Sequence, residues 1–324
     1  MSAADTPLPR PPFDPELQAV LDTLSAQLPP TITPEMIQPM RQAMGQGPDA
    51  RETLTRRGLD VRDVTISSYD GGAVVLSVVR PAGHSGAGPG FYYCHGGGMM
   101  FGDALGGVEV LADWLLRYDA VGVSVGYRLA PEHPDPTPVE DCYAGLVWTA
   151  EHAGELGIAP DRLVIAGSSA GGGLAAGTAL LARDRRGPAL AGQLLMYPML
   201  DDRDDTVSTA QIHGVGMWDR GSNRTGWTAL LGTRRGTGDV SVYAAPARAA
   251  ELSGLPPTFI DCGSAEVFRD EDVAYATRIW AAGGQAELHV WPGGFHAFDV
   301  FASHTTLAKD MVAARDRWID RLFS

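Results

Sequence analysis

The sequence predicts an α/β protein with a mostly parallel sheet, opened by an antiparallel hairpin and covered by helices on both faces. Three observations carry that expectation. Apolar runs that read as buried strands alternate with helical stretches from residue 91 onward. Residues 61–67 and 73–80 alternate apolar and polar side chains across Tyr69-Asp70-Gly71-Gly72, the pattern of a β-hairpin. The short apolar run 163–166 enters Gly167-Ser168-Ser169-Ala170-Gly171 and then a small-residue segment that reads as a helix.

In chain order, residues 1–15 are rich in Pro, Ala and Asp and are expected to be mobile at the start. From about 14 to 57 the pattern turns helical, with Pro15-Glu16-Leu17 followed by Val20, Leu21 and Leu24, and then Pro34-Glu35-Met36-Ile37. Prolines suit the first turn of a helix. Short helices ahead of the first strand suggest a lid segment. After the hairpin, the Gly/Ser/Pro-rich stretch 81–90 reads as a flexible turn. Strands are expected at 91–94, 121–127, 163–166, 193–197, 258–262 and 287–291, and helices at about 139–152 and 305–323. No internal repeat interrupts the series.

A chain of 324 residues holds one large α/β domain with a lid, or two domains. Its net charge of −14 argues against nucleic acid or an anionic membrane as partner, since both require clustered Lys and Arg. Cys94, Cys142 and Cys262 are far apart and form no C-x-x-C, so buried free thiols in a reducing compartment are expected. The chain lacks the basic start and apolar core of a signal peptide, and no apolar run approaches the ~18 residues of a membrane span. A cytoplasmic protein is the expectation.

The chemistry centres on Ser169. A G-x-S-x-G motif between a strand and a helix puts its serine on a sharp, strained turn, next to free N–H groups that favour negative charge. His95-Gly96-Gly97-Gly98 follows the strand at 91–94. Glycines there let several backbone N–H groups converge on one point, so Gly97 and Gly98, with the Ala170 amide, are the candidate oxyanion donors. A phosphate loop is disfavoured, because neither G-x-x-x-x-G-K-[ST] nor G-x-G-x-x-G occurs. His95 suits a loop-fixing role. Of eight histidines, His296 follows the last strand, where the serine-first order Ser, acid, His puts the base. The acid lies in the loop after the penultimate strand: Glu266 is the first choice, with Asp270 and Asp261 as candidates. Glu271 and Asp272 are expected to be solvated at the surface. Imidazole acts as a base only when neutral, so activity is expected to rise with pH through the ordinary imidazole range, ~6.5.

His95-Gly96-Gly97-Gly98, Tyr127-Arg128-Leu129-Ala130-Pro131-Glu132-His133, Gly167-Ser168-Ser169-Ala170-Gly171-Gly172 and the loop around His296 together resemble the hormone-sensitive-lipase-like esterases of the α/β-hydrolase superfamily. The resemblance covers roughly residues 60–324. It implies an α/β-hydrolase fold with an eight-stranded, mostly parallel sheet and a helical cap. The cap would comprise the N-terminal segment 1–57 and an insertion at 200–242, leaving 58–199 and 243–324 as the catalytic domain. It also implies hydrolysis of short- to medium-chain acyl esters, no cofactor or metal, and a homodimer. Two positions depart from the family pattern, which commonly has Asp where this chain has Ser168 and Asp where it has Glu266. Met99, Met100, Phe101, Met217, Trp218 and Trp227 are candidate pocket residues, since Met and aromatic side chains fill irregular apolar sites. An amidase, deacetylase or lactonase on the same machinery is the enzymatic alternative. A non-catalytic small-molecule receptor would require a lost triad member, and a metallohydrolase lacks H-E-x-x-H or clustered ligands.

Overall fold

The computed structural model describes residues 8–45 and 49–324. Eight strands, β1 (Leu59–Ser67), β2 (Ala73–Pro81), β3 (Gly88–Cys94), β4 (Val121–Gly126), β5 (Ile158–Ser168), β6 (Gly192–Met196), β7 (Thr258–Gly263) and β8 (Ala286–Trp291), form one sheet in the order β1-β2-β4-β3-β5-β6-β7-β8. β2 runs antiparallel to both β1 and β4, and every other pairing is parallel. β3 and β5 are longer than their apolar runs. Gly88 pairs with Ile158 beyond a register shift, and the polar Asp161 and Arg162 sit at the exposed end of β5, where apolar patterning gives no signal.

Twelve helices accompany the sheet among the described residues: α1 (Pro15–Ser25), α2 (Ile37–Met44), α3 (Ala50–Arg56), α4 (Ala112–Tyr118), α5 (Thr137–Glu151), α6 (Ala153–Leu156), α7 (Ala170–Asp184), α8 (Val207–Gln211), α9 (Arg220–Leu231), α10 (Arg269–Ala281), α11 (Phe298–Phe301) and α12 (Thr306–Phe323). They enclose two cores, one per face of the sheet. Successive β3 residues alternate between them: Phe91 and Tyr93 join Trp114 of α4 and Trp318 of α12, while Tyr92 and Cys94 join Leu146 of α5 and Leu174 of α7. Each such fully buried side chain contributes roughly 1.5–3 kcal/mol. Cys94, Cys142 and Cys262 are free and buried, as expected. No helix among the described residues is long and apolar enough to cross a membrane.

Residues 1–7 of the N-terminal stretch expected to be mobile lie outside the described residues. Further along, the chain is fixed. Phe13 is buried edge-on against Phe295, the Asp14 amide donates to the Gly293 carbonyl (3.1 Å), and the Asp14 carboxylate caps α1 by accepting from Glu16 N (2.8 Å). Composition alone hides one aromatic anchor and one cap.

Two further sets of bonds fix the N-terminal helices. Thr31 Oγ1 donates to Asp219 (2.7 Å), the Ile32 amide donates to Ser222 Oγ (2.9 Å), and Thr225 Oγ1 donates to the Ile32 carbonyl (2.8 Å). Arg41 of α2 donates to the Met100 and Ala130 carbonyls (2.7 Å each) and pairs with Glu132 (2.9 Å). The helices at 15–44 are thereby tied both to α9 and to the loops that follow β3 and β4.

Candidate active site

Ser169 stands between β5 and α7 with φ 57° and ψ −123°, a left-handed conformation that costs a non-glycine residue on the order of 1–3 kcal/mol. The surroundings enforce it. Its amide donates to the Met196 carbonyl at the end of β6 (2.9 Å), and its carbonyl accepts from Met199 N (2.9 Å) and Gly173 N (3.1 Å). Two residues on, a Cβ at Gly171 would overlap the Cys94 carbonyl oxygen, so only glycine lets α7 cross this close to β3. Ser168, where the resembled family commonly carries Asp, lies 3.0 Å from the buried Tyr93 hydroxyl.

His296 lies between β8 and α11, with Nε2 2.9 Å from Ser169 Oγ and Nδ1 3.3 Å from Glu266 Oε2. The second contact is long for a charge-assisted hydrogen bond but within reach. Tyr197 and Phe268 hold the imidazole edge-to-face from two sides, each with its centroid 5.1 Å away. Glu266 is almost wholly enclosed, and burial raises its carboxyl above the usual range against the opposing pull of His296.

The other carboxylates go elsewhere. Asp270 accepts from Ser208 N (2.7 Å) and pairs with Arg269. Asp261 accepts from Arg315 (2.7 Å), which also donates to Asp299 (2.6 Å). Glu271 and Asp272, expected at the surface, are instead buried: a run of charges at a helix start does not reveal which way it faces. Burial pushes both carboxyls well above their ordinary range.

Gly97 (φ 111°) and Gly98 follow β3, and their amides donate to no backbone carbonyl among the described residues. Ala170 is the first residue of α7, where an N–H has no partner within the helix. His95 is turned away from this point. It stacks on Tyr127 with centroids 4.1 Å apart, its Nδ1 contacts the Gly96 carbonyl (2.8 Å), and burial lowers its pKa to about 4. It stays neutral and braces the loop.

A cavity of about 640 Å³ opens over Ser169 and His296. Phe101, Met217 and Trp218 line it, and Trp218 presses so closely on Gly98 that a Cβ there would meet its ring at 2.5 Å. Met99, Met100 and Trp227 do not line it. All three are fully buried in the core on the α5–α7 side, where their size fills space beneath the loops. The remaining wall comes largely from the N-terminal helices through Leu21, Leu28, Met40 and Met44. Sequence reasoning missed Tyr197 and Phe268 and named none of these N-terminal lining residues, although it expected the segment as a lid; the positive φ of Tyr197 has no counterpart in local composition.

The family described as alpha/beta hydrolase fold matches residues 91–300. The carboxylesterase NlhH of Mycobacterium tuberculosis is 35% identical, the match covering 90% of this chain and 91% of that protein. Among solved structures, a bacterial heroin esterase is 35% identical with a TM-score of 0.85, covering 96% of this chain and 98% of that one. Brefeldin A esterase, a bacterial homologue of human hormone-sensitive lipase, is 27% identical with a TM-score of 0.78, covering 96% and 94%. With its fold, its G-x-S-x-G elbow and these relatives, the chain belongs to the hormone-sensitive-lipase-like family of carboxylic ester hydrolases of the α/β-hydrolase superfamily.

Proposed function

We propose that the protein is a carboxylesterase that hydrolyses short- to medium-chain acyl esters through an acyl-enzyme on Ser169, with His296 as base, Glu266 as its orienting acid, and Gly97, Gly98 and Ala170 as oxyanion donors. The observation that carries this reading is the chain of contacts from Ser169 Oγ to His296 Nε2 (2.9 Å) and from His296 Nδ1 to Glu266 Oε2 (3.3 Å) at the floor of an apolar cavity. His296 takes the serine proton as Oγ attacks the ester carbonyl. The three amides bind the oxygen as it gains charge, and His296 returns the proton to the leaving alcohol. Water deprotonated by the same imidazole then releases the acid. Residues 1–57 and 200–242 act as the cap that shapes the cavity, and the homodimer implied by the family is part of the same reading.

The test is hydrolysis of a chain-length series of p-nitrophenyl esters. Glu266→Gln is expected to lower kcat about 10³- to 10⁴-fold, because the amide no longer holds the imidazole in the productive tautomer. Asp270→Asn is expected to leave kcat near wild type, since that carboxylate caps α8 and does not reach His296. The reverse pattern would remove Glu266 from the triad. An enzyme inert to the whole series would overturn the substrate class.

Trp218 sets the depth of the cavity beside Gly98. Trp218→Ala is expected to raise kcat/KM for long acyl chains relative to butyrate about tenfold, as each added methylene finds apolar space. An unchanged chain-length profile would take Trp218 out of the acyl site.

A further inference from the structure

Behind Glu266, away from Ser169, lies a buried acid that the proposed mechanism leaves without a role. Asp272, on the first turn of α10, is fully buried, and apart from the weak thiol donor of Cys262 its carboxyl oxygens have no hydrogen-bond partner among the described residues. Glu266 has the matching defect, since Oε2 faces His296 while Oε1 is buried and unpartnered. One carboxyl oxygen of each residue and the Cys262 sulfur lie within 4.8 Å of one another. Two unpaired carboxyls this close cannot both be satisfied if both are ionised, because neither then has a proton to donate.

The neighbours decide which carboxyl keeps a proton. From β7, Asp261 is neutralised by Arg315, and Cys262 offers only a weak thiol donor. On α10, Glu271 is tethered away by the Leu200 and Asp201 amides, and Arg269 is spent on Asp270. From the loop after β8, His296 faces Glu266 and favours its charge. No cation among the described residues faces Asp272, whereas burial and the charges of Glu266, Glu271 and Asp261 all disfavour its ionisation.

We propose that Asp272 is a positioning residue that keeps its proton at the pH of catalysis and donates a hydrogen bond to Glu266, directly or through one bridging water, so that the triad acid stays ionised and fixed toward His296. Asp272 touches no reacting atom; it acts through Glu266. This rests on the reading of Ser169, Glu266 and His296 as the triad.

The test compares wild type with Asp272→Leu, which has no donor, and Asp272→Asn, which keeps a donor without a charge. Each is followed on p-nitrophenyl butyrate from mildly acidic to alkaline pH. Asp272→Leu is expected to lower kcat about 10- to 100-fold with little change in KM, and to move the acid limb of the profile to higher pH. Asp272→Asn is expected to recover most of that rate and the wild-type limb.

If Asp272 were ionised, both replacements would remove a negative charge near the imidazole and move the limb to lower pH, which would overturn the proposal. Equal impairment by Asn and Leu, or none by either, would overturn it too. Should Asp272→Leu fail to fold, infrared difference spectra of wild type and Asp272→Asn decide the matter. The carbonyl stretch of a protonated carboxylic acid must be present in wild type and lost in the variant, and its absence from wild type refutes the assignment. Ser169→Ala and Glu266→Gln run alongside separate the two readings. If they are inactive while Asp272 behaves otherwise, only the positioning role falls; if they retain activity, the triad itself is wrong.

Discussion

Ser169→Ala is expected to reduce kcat on p-nitrophenyl butyrate on the order of 10⁵- to 10⁶-fold, leaving only what the oxyanion donors and binding supply. Alanine keeps the Cβ, so the left-handed backbone at position 169 is neither relieved nor worsened. The amide and carbonyl bonds to Met196 and Met199 do not involve the hydroxyl. The loss should therefore appear in kcat with the unfolding midpoint nearly unchanged. A variant that retained even a hundredth of the activity would place the nucleophile elsewhere.

The second large effect concerns stability. Arg315 is wholly buried in α12 and is shared between Asp261 and Asp299, with its guanidinium 5.6 Å from the Tyr197 ring centre. Arg315→Leu leaves two carboxyls in the core without their cation and is expected to cost about 3–5 kcal/mol. The sign of its pH dependence follows from Asp261. Burial raises that carboxyl to about 6 even with Arg315 beside it. The folded state thus binds this proton more tightly than the unfolded chain, and the group's contribution to stability falls as pH rises from the ordinary carboxylate range through about 6. Without Arg315 the penalty should be smaller in mildly acidic buffer, where the carboxyls can be protonated, than at alkaline pH. Denaturant titrations at the two pH values check this. A pH-independent loss would mean that packing, not charge, is what Arg315 supplies.

What was legible in the sequence divides along physical lines. The proximity of Ser169, Glu266 and His296 was readable because strand ends in a parallel sheet gather at one edge, so order along the chain becomes nearness in space; the structure brings the three within hydrogen-bond distance. Glycine motifs were readable for a similar reason, since local backbone needs are written locally. Direction of facing was not. Arg315 sits in Ala314-Arg315-Asp316-Arg317, and nothing nearby says that this arginine points inward and Arg317 outward. Glu271 and Asp272 looked like a solvated helix start because charge is normally a surface signal. Met99 and Met100 looked like pocket residues because they follow the oxyanion loop, yet the chain turns there and sends them beneath it. Each of these depends on what another part of the chain brings opposite, which a local pattern does not contain.

The bonds between Thr31–Ile32 and α9 span 188 to 193 residues of chain. They impose an order on how the protein comes to exist. The N-terminal helices leave the ribosome first, and α2 and α3 can meet the loops after β3 and β4 and strand β1 early, but Phe13–Asp14 and Thr31–Ile32 have no partner until α9 and the Gly293–Phe295 turn have been made. Closing so long a loop has an entropic cost that only these late contacts offset. The backbone partners of Ser169, at Gly173, Met196 and Met199, all precede those late segments in the chain. On the reading of Ser169 as the nucleophile, a molecule without that closure is expected to hold it over a floor that lacks its N-terminal wall. On that reading, selectivity for the ester, unlike the capacity to attack one, is expected only once the N-terminal segment has met α9 and the turn after β8.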